Sequence, residues 1–475
     1  MCTVAVAVAS CAASYVVPTV HSNIRPQLAA IRMGLDDDRS FDALVSEGKS
    51  SLAVAMLKKS NDAVDLKVPR VASLLDAACD ASAEGTGEAA DGAALMMQQA
   101  SDPAATFQRQ VQQQNDLLDC YNALSDAGAL RGFASASSID ALPCPNPRIV
   151  LPDDQRRITS LPTSAFAPPR GNSNFDLIAG ALSASLLFAA SDFLQLDLRV
   201  LVGAGAGFLA ADRLLLRGTV FEVLARALRP RYRKTVIQHE AGHFLVAYLL
   251  GMPLQACLLD PWSALKDGRF SGAAGTVFFD PALGDGMAKG TLRRDTLDRY
   301  SVVVLAGIAA EAMVNGQAEG GQADEQALVS LLSSLDGGRA WDLARIQNQA
   351  RWGASQALLL LREHEEPYKA LCAALERGAS IGEAITVLEE SMVATFGRNG
   401  ELPAETRLRK ARGAQMAAAE AAAAQQQQQQ QQGVVSPAAA VKSAARSKEE
   451  IEAEQAAVAK RLEEVQKQLQ ELDRQ

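Results

Sequence analysis

The stretch Thr235-Val-Ile-Gln-His239-Glu240-Ala-Gly-His243-Phe-Leu-Val-Ala-Tyr-Leu-Leu-Gly251-Met-Pro253 decides how this chain is read. It carries the start and stop signals of a helix. Thr235 with Gln238 fits a capping box, and Gly251 and Pro253 end the run. On a helix, His239 and His243 lie one turn apart on one face, so both imidazoles can reach one ion. Tetrahedral zinc takes such ligands. Glu240 would stand beside the open coordination position. There it can take a proton from a water attacking a peptide carbonyl and pass it to the leaving amine. With four histidines in 475 residues, an HExxH arises by chance only about 0.002 times. Two competing readings stand beside this one: paired helix-surface histidines, and a site that holds metal without turning over substrate.

Catalytic zinc needs a third protein ligand. No other histidine lies close in sequence, and His364, followed by Glu365 and Glu366 in a Leu-rich helix, reads as structural. A carboxylate is therefore expected, within Leu305-Ala-Gly-Ile-Ala-Ala-Glu311-Ala-Met-Val-Asn-Gly316-Gln-Ala-Glu319-Gly-Gly321-Gln-Ala-Asp324-Glu325. An apolar helix stops there at Asn315-Gly316, a Gly-Gly turn follows, and an acid opens the next helix. Asp324, Glu325, Glu319 and Glu311 are the candidates, with Asp324 first, since the glycine turn lets the backbone approach the HExxH helix closely.

HEAGH followed by an apolar helix, then LAGxAAE and a Gly-rich turn before an acid, resembles the peptidase domain of FtsH-type zinc metalloproteases. The likeness covers about residues 230 to 395 and is strongest at His239 to His243. It extends to Gly275-Thr-Val-Phe-Phe and to Ala350 through His364. The resemblance implies zinc held by His239, His243 and Asp324, with Glu240 as the base and Glu311 orienting a histidine. The turn before Asp324 is one residue shorter than in typical members, which keeps Glu325 as a rival ligand. Typical FtsH proteins carry an ATPase ahead of the peptidase. Here no GxxxxGK[ST] motif exists, so the chain is more similar to the ATPase-less FtsH-like proteins of plants and algae. The fold class this implies is mainly α: a zincin-like HExxH helical peptidase domain with a short β hairpin, Ala256 to Leu259 and Gly275 to Phe279. A strand edge there can pair with an extended peptide.

Composition agrees with a helical chain. Hydrophobic residues make up 48% but aromatic ones only 5%, so the excess is alanine. A formal charge of −9 argues against a general nucleic-acid binder. Seven scattered cysteines form no CxxC pair and read as small hydrophobes.

Seven zones follow from patterning. Residues 1–35 lack Asp and Glu but hold Arg25 and Arg32, as an organellar presequence does, most readily a plastid one. Residues 36–130 read as a helical accessory region. Residues 131–175 hold seven of the 18 prolines and read as a linker. Residues 176–217 carry two apolar stretches, each shorter than the roughly 20 residues a spanning helix needs. They read either as a thin membrane hairpin, with Gly203 and Gly207 as a packing face, or as a buried soluble one. Residues 218–397 form the peptidase-like domain, 398–446 a low-complexity linker, and 447–475 a charged amphipathic or coiled-coil helix with a seam at Val458, Leu462, Val465, Leu469 and Leu472.

The function expected is that of a zinc metalloendopeptidase without its own ATPase. Unfolded or flexible proteins are its substrates, and a membrane, a second copy and an FtsH-type ATPase are its candidate partners. The rival is a catalytically weak or inactive adaptor or assembly factor.

Overall fold

A computed structural model describes residues 38–59, 68–83, 103–144, 148–168, 197–215, 231–270, 275–335 and 341–432, with a few isolated positions between and beyond them. The presequence-like segment 1–35 and nearly all of 447–475 lie outside the described residues.

The protein is mainly helical. The N-terminal helices are α1 (Asp38–Ser46), α2 (Ser50–Lys59), α3 (Val68–Ala83) and α4 (Pro103–Asp126), followed by a short α5 (Pro152–Thr159) and by α6 (Leu198–Leu215). The HExxH helix α7 (Tyr232–Leu249) leads into β1 (Leu254–Leu258), α8 (Pro261–Lys266), β2 (Gly275–Phe278) and α9 (Pro281–Ala288). Helices α10 (Arg294–Val304), α11 (Ala306–Asn315), α12 (Gln322–Ser334), α13 (Leu343–Glu363), α14 (Glu365–Glu376), α15 (Ile381–Phe396) and α16 (Pro403–Gln432) complete it. The two strands form one antiparallel hairpin, with a bulge between Leu254 and Ala256.

Helix α7 is the centre of the core: every residue from Val236 to Leu249 is buried. A helix covered on all sides needs neighbours all round, and small residues let them come near. A Cβ on Gly242 would sit 2.6 Å from the Ala310 methyl and 2.7 Å from the Ala306 carbonyl, so α7 and α11 touch backbone to backbone there. The helix begins at Tyr232, one turn before the expected Thr235–Gln238 box. Its cap, Arg231, offers no side-chain bond, and the Thr235 hydroxyl donates instead to the Arg231 carbonyl. The stop is as expected, with Gly251 at φ +76°.

Three of the expected zones join one core. Segment 131–175 is no loose linker as far as it is described. Ala134 and Ala136 donate backbone N–H groups to Tyr248 and Leu249, and Val150 donates to Asn348 on α13. Leu142, Val150 and Phe166 are buried. Prolines lack an N–H, so such a segment can pack without a ladder, its few donors and acceptors met by side chains. The accessory helices are not a separate domain either. One continuous core runs from Phe41 to Ala404. The Tyr121 hydroxyl donates to the Leu254 carbonyl on β1 (3.1 Å), and Gly382 lies so close to Ala72 that no Cβ would fit. The start of the low-complexity tail also packs: Leu402 and Ala404 are fully buried. From Arg409 on, the chain forms a second unit, in which α16 runs through the alanines into the glutamine tract.

No helix among the described residues is long and apolar enough to cross a membrane. Of 176–217, only the second apolar stretch is described as an element, α6.

Candidate metal centre

Three elements bring the site together. Helix α7 supplies His239, Glu240 and His243, α11 supplies Glu311, and the first turn of α12 supplies Asp324. All five are essentially inaccessible to solvent. The turn between α11 and α12 depends on glycine. Gly316 closes α11 at φ +78° and Gly321 opens α12 at φ +87°, a left-handed conformation that other residues adopt at a cost. A Cβ at Gly321 would strike Ile308, so glycine is also what lets this turn lie against α11.

His239 Nε2 lies 3.0 Å from Asp324 Oδ2 and 3.1 Å from His243 Nε2, and His243 Nε2 lies 3.6 Å from Asp324 Oδ2. With metal–ligand bonds of about 2.0–2.1 Å, the edges of a zinc tetrahedron are about 3.3–3.4 Å. The three atoms thus stand near three corners of such a figure. Among the described residues this is the only such set of three potential ligands.

Tautomers sharpen the point. His243 Nδ1 is 2.8 Å from the Val303 carbonyl, which can only accept, so that nitrogen carries the hydrogen. His239 Nδ1 is 2.6 Å from Glu311 Oε1 and donates to it in the same way. Both Nε2 atoms therefore converge on each other and on a carboxylate oxygen, with room among them for one proton or one cation. Converging acceptors repel unless a cation or a proton lies between them. Glu311 Oε2 in turn accepts the N–H groups of Glu319 (2.5 Å) and Gly320 (2.9 Å). One carboxylate thus ties a histidine to the turn that presents Asp324. Carboxylate and carbonyl partners behind ligating histidines fix ring orientation in metal sites.

The titration behaviour is that of a cluster awaiting positive charge. Burial works against a charged His239, but the Asp324 and Glu311 carboxylates outweigh it and push the ring well above its ordinary value. Burial also opposes charge on Asp324, yet His243 and His239 hold it well below the usual carboxylate range. Glu311 is lowered too, because His239 and the two turn N–H groups overcome its burial.

Both oxygens of Glu240 and Oδ1 of Asp324 are buried without a protein partner. A buried polar atom left unpaired costs about 1–3 kcal/mol or more, so these atoms suit a water or ion held beside them. The residues present fit a zinc ion. Behind Glu240, the Thr276 hydroxyl of β2 reaches the Glu240 carbonyl (3.3 Å) and the Cys257 sulfur of β1, which fixes the hairpin over this turn of α7. A cavity of about 750 Å³ lies beside β1, lined by residues such as Cys79, Arg269 and Ser380. None of the four predicted site residues borders it, and the convergence of ligands outweighs cavity size in locating the centre.

The structure brings together His239, Glu240, His243 and Asp324. Glu325 is half-buried outside the ligand set, Glu319 is exposed and contributes only its backbone, and Glu311 stands behind His239. His364 is remote from the cluster, its Nδ1 donating to the Leu360 carbonyl. Gly307 was not singled out from the sequence. A Cβ there would run into the His239 ring, so its hydrogen is what gives that imidazole room. The Ala165 carbonyl accepting the Ala318 N–H, which braces the turn before Asp324, was equally invisible. No protein-family model, curated protein or solved structure matches this chain.

Proposed function

We propose that this protein is a zinc-dependent metallopeptidase, similar in site design to the FtsH-type peptidases and without an ATPase of its own. One observation carries the reading: three potential ligand atoms of His239, His243 and Asp324 converge, with the unpartnered carboxylate of Glu240 on the helix that bears both histidines. Zinc, when bound, would supply Lewis acidity, lowering the pKa of a water toward about 7. His239 and His243 would hold the ion through Nε2, and Asp324 through Oδ2. Glu240, buried and unpaired, would accept the proton of the attacking water and deliver it to the leaving nitrogen. Glu311 would keep His239 in the tautomer that offers Nε2. With no nucleotide-binding loop to drive unfolding, substrates would be flexible or unfolded segments.

The burial of all five groups supports a second reading, a metal-stabilised binding or assembly factor without turnover. The same experiment separates the two. The full chain is used, because the core spans Phe41 to Ala404. Metal content and casein cleavage are measured with and without a chelator, for wild type and Glu240→Gln. The peptidase reading expects stoichiometric zinc in both proteins and chelator-sensitive cleavage in wild type alone. Equal turnover by the two would refute it. Zinc in both with cleavage by neither would establish the binding role.

A further inference from the structure

We propose that the neighbouring N-termini of α10 and α13, with Arg148, Arg294, Arg345 and Trp341, form a surface site for a phosphate group. The proposal does not rest on the peptidase reading.

The two helices run side by side in the same direction. Arg294, the first residue of α10, donates to Gln349 Oε1 (2.7 Å) and lies over the ring of Trp341, just before α13 begins. Two turns further along α10, the Ser301 hydroxyl accepts from Gln349 Nε2 (3.0 Å), and the Ser301 carbonyl lies against Gly353. Contacts thus advance together along both helices. Parallel helices bring both positive dipole ends to one place.

Three guanidiniums gather at that end. Arg294 and Arg345 stand 5.2 and 4.5 Å from the centroid of the Trp341 ring. Trp341 packs against the core, so this platform is anchored. Arg148 shares the buried Asp298 with Arg294. Arg345 is exposed and the Arg294 side chain is 46% accessible, so both can reach a ligand from solvent. Asp342 accepts the backbone N–H of Arg345 (2.7 Å), while the guanidinium stacks on Trp341.

Charge selects the ligand. Arg148, Arg294, Arg345 and the Arg293 beside them face Asp295, Asp298 and Asp342. Each helix end adds about half a charge, so the described groups leave an excess of about two positive charges. Burial pushes Arg294 below its ordinary value; Asp298 opposes this, and the nearby Arg148 and Arg345 add to it. A phosphate group carries about −1.5 to −2 at pH 7, which matches the excess, whereas a carboxylate meets only half of it. Guanidiniums offer planar pairs of donors that suit phosphate oxygens. Asp295 takes the Thr296 N–H (2.9 Å), but no side chain caps α10 from Arg293, which suits an anion at its first N–H groups.

The test is calorimetric titration of the full chain with inorganic phosphate and with O-phosphoserine, acetate serving as the carboxylate control. Both phosphates should bind, and more weakly as salt is added. Acetate should bind about 10-fold more weakly. Equal affinities for the two phosphates would make the bare group the ligand, and a tighter grip on phosphoserine would make it an ester. Arg345→Gln should weaken phosphate binding by about 10-fold or more, the cost of one charge-assisted bond, with circular dichroism spectrum and zinc content unchanged. Trp341→Phe should remove most of the change in tryptophan emission that phosphate produces. Absence of phosphate binding by the folded wild type would overturn the proposal. So would undiminished binding by Arg345→Gln, which would place the anion elsewhere, and so would acetate binding as tightly as phosphate.

Discussion

Glu311 grips His239 with one carboxylate oxygen, 2.6 Å from Nδ1, and the turn before Asp324 with the other. A single buried carboxylate therefore sets the spacing between two candidate metal ligands that lie 85 positions apart. Its three partners all donate to it. Glu311→Gln keeps the shape but replaces one acceptor oxygen with an NH2 group facing either a histidine N–H or two backbone N–H groups. Zinc affinity should drop by about 10–100-fold, the usual cost of losing such a partner. Asp324→Ala, which removes a ligand, should cost far more. Competition with a chromophoric chelator measures both. Equal losses would mean that Glu311 is itself a ligand.

Metal binding should release a proton. Without metal, the carboxylates keep His239 charged well above its ordinary value, so the imidazolium proton takes the place of the cation near neutral pH. Zinc must displace it, and affinity should therefore fall as the solution is acidified. Calorimetric titration of the apoprotein with zinc, in buffers of different ionisation enthalpy, reads the proton count directly. An observed enthalpy independent of the buffer would contradict the protonated apo state.

Gly307→Ala is expected to be more damaging than its size suggests. The added methyl would meet the His239 ring, whose other side is held by Glu311 and Asp324. Overpacking of this kind costs about 1–3 kcal/mol, and the strain falls on a candidate ligand. Thermal unfolding should shift modestly while zinc affinity falls sharply. Gly284→Ala is the control, because a Cβ there meets nothing within 4 Å. Zinc affinity unchanged in Gly307→Ala would show that the ring has room to shift.

The convergence of the candidate ligands was legible because it is local. His239, Glu240 and His243 need only one helix, and Asp324 needs only a glycine turn and the habit of acids to open helices. Glu325 and Asp324 are neighbours in sequence, and only the close approach at Gly321 decides which faces α7. The packing of 131–168 was illegible for the opposite reason. Its partners are Asn348, Arg351 and Gln356, about 200 residues away on α13. A proline-rich stretch shows no periodicity that would announce them. The N-terminal helices were legible as a helical accessory region, but their place in the core was not. Nothing in their pattern says that Tyr121 and Cys79 both reach the Leu254 carbonyl.

His364 supplies a test of the fold that is independent of the metal. It sits fully buried at the end of α13, edge-on to Phe396. Burial, helped by the nearby Arg407, pushes it down to about 4, although the Leu360 carbonyl holding its Nδ1–H pulls the other way. The unfolded chain binds the proton near pH 6.5 and the folded one only near 4, so the unfolded state carries more protons between these values. Stability from this residue is therefore complete above about pH 6.5 and is lost as pH falls toward 4. The loss should reach about 3 kcal/mol at pH 4. Other carboxyl groups titrate in the same range, so the comparison is with His364→Phe, which fills the site and cannot take a proton. Urea unfolding at pH 7 and pH 4 should show the wild type losing about 3 kcal/mol more than the variant. Parallel losses would mean that the His364 ring reaches solvent, or finds a hydrogen-bond acceptor for Nε2, before the fold gives way.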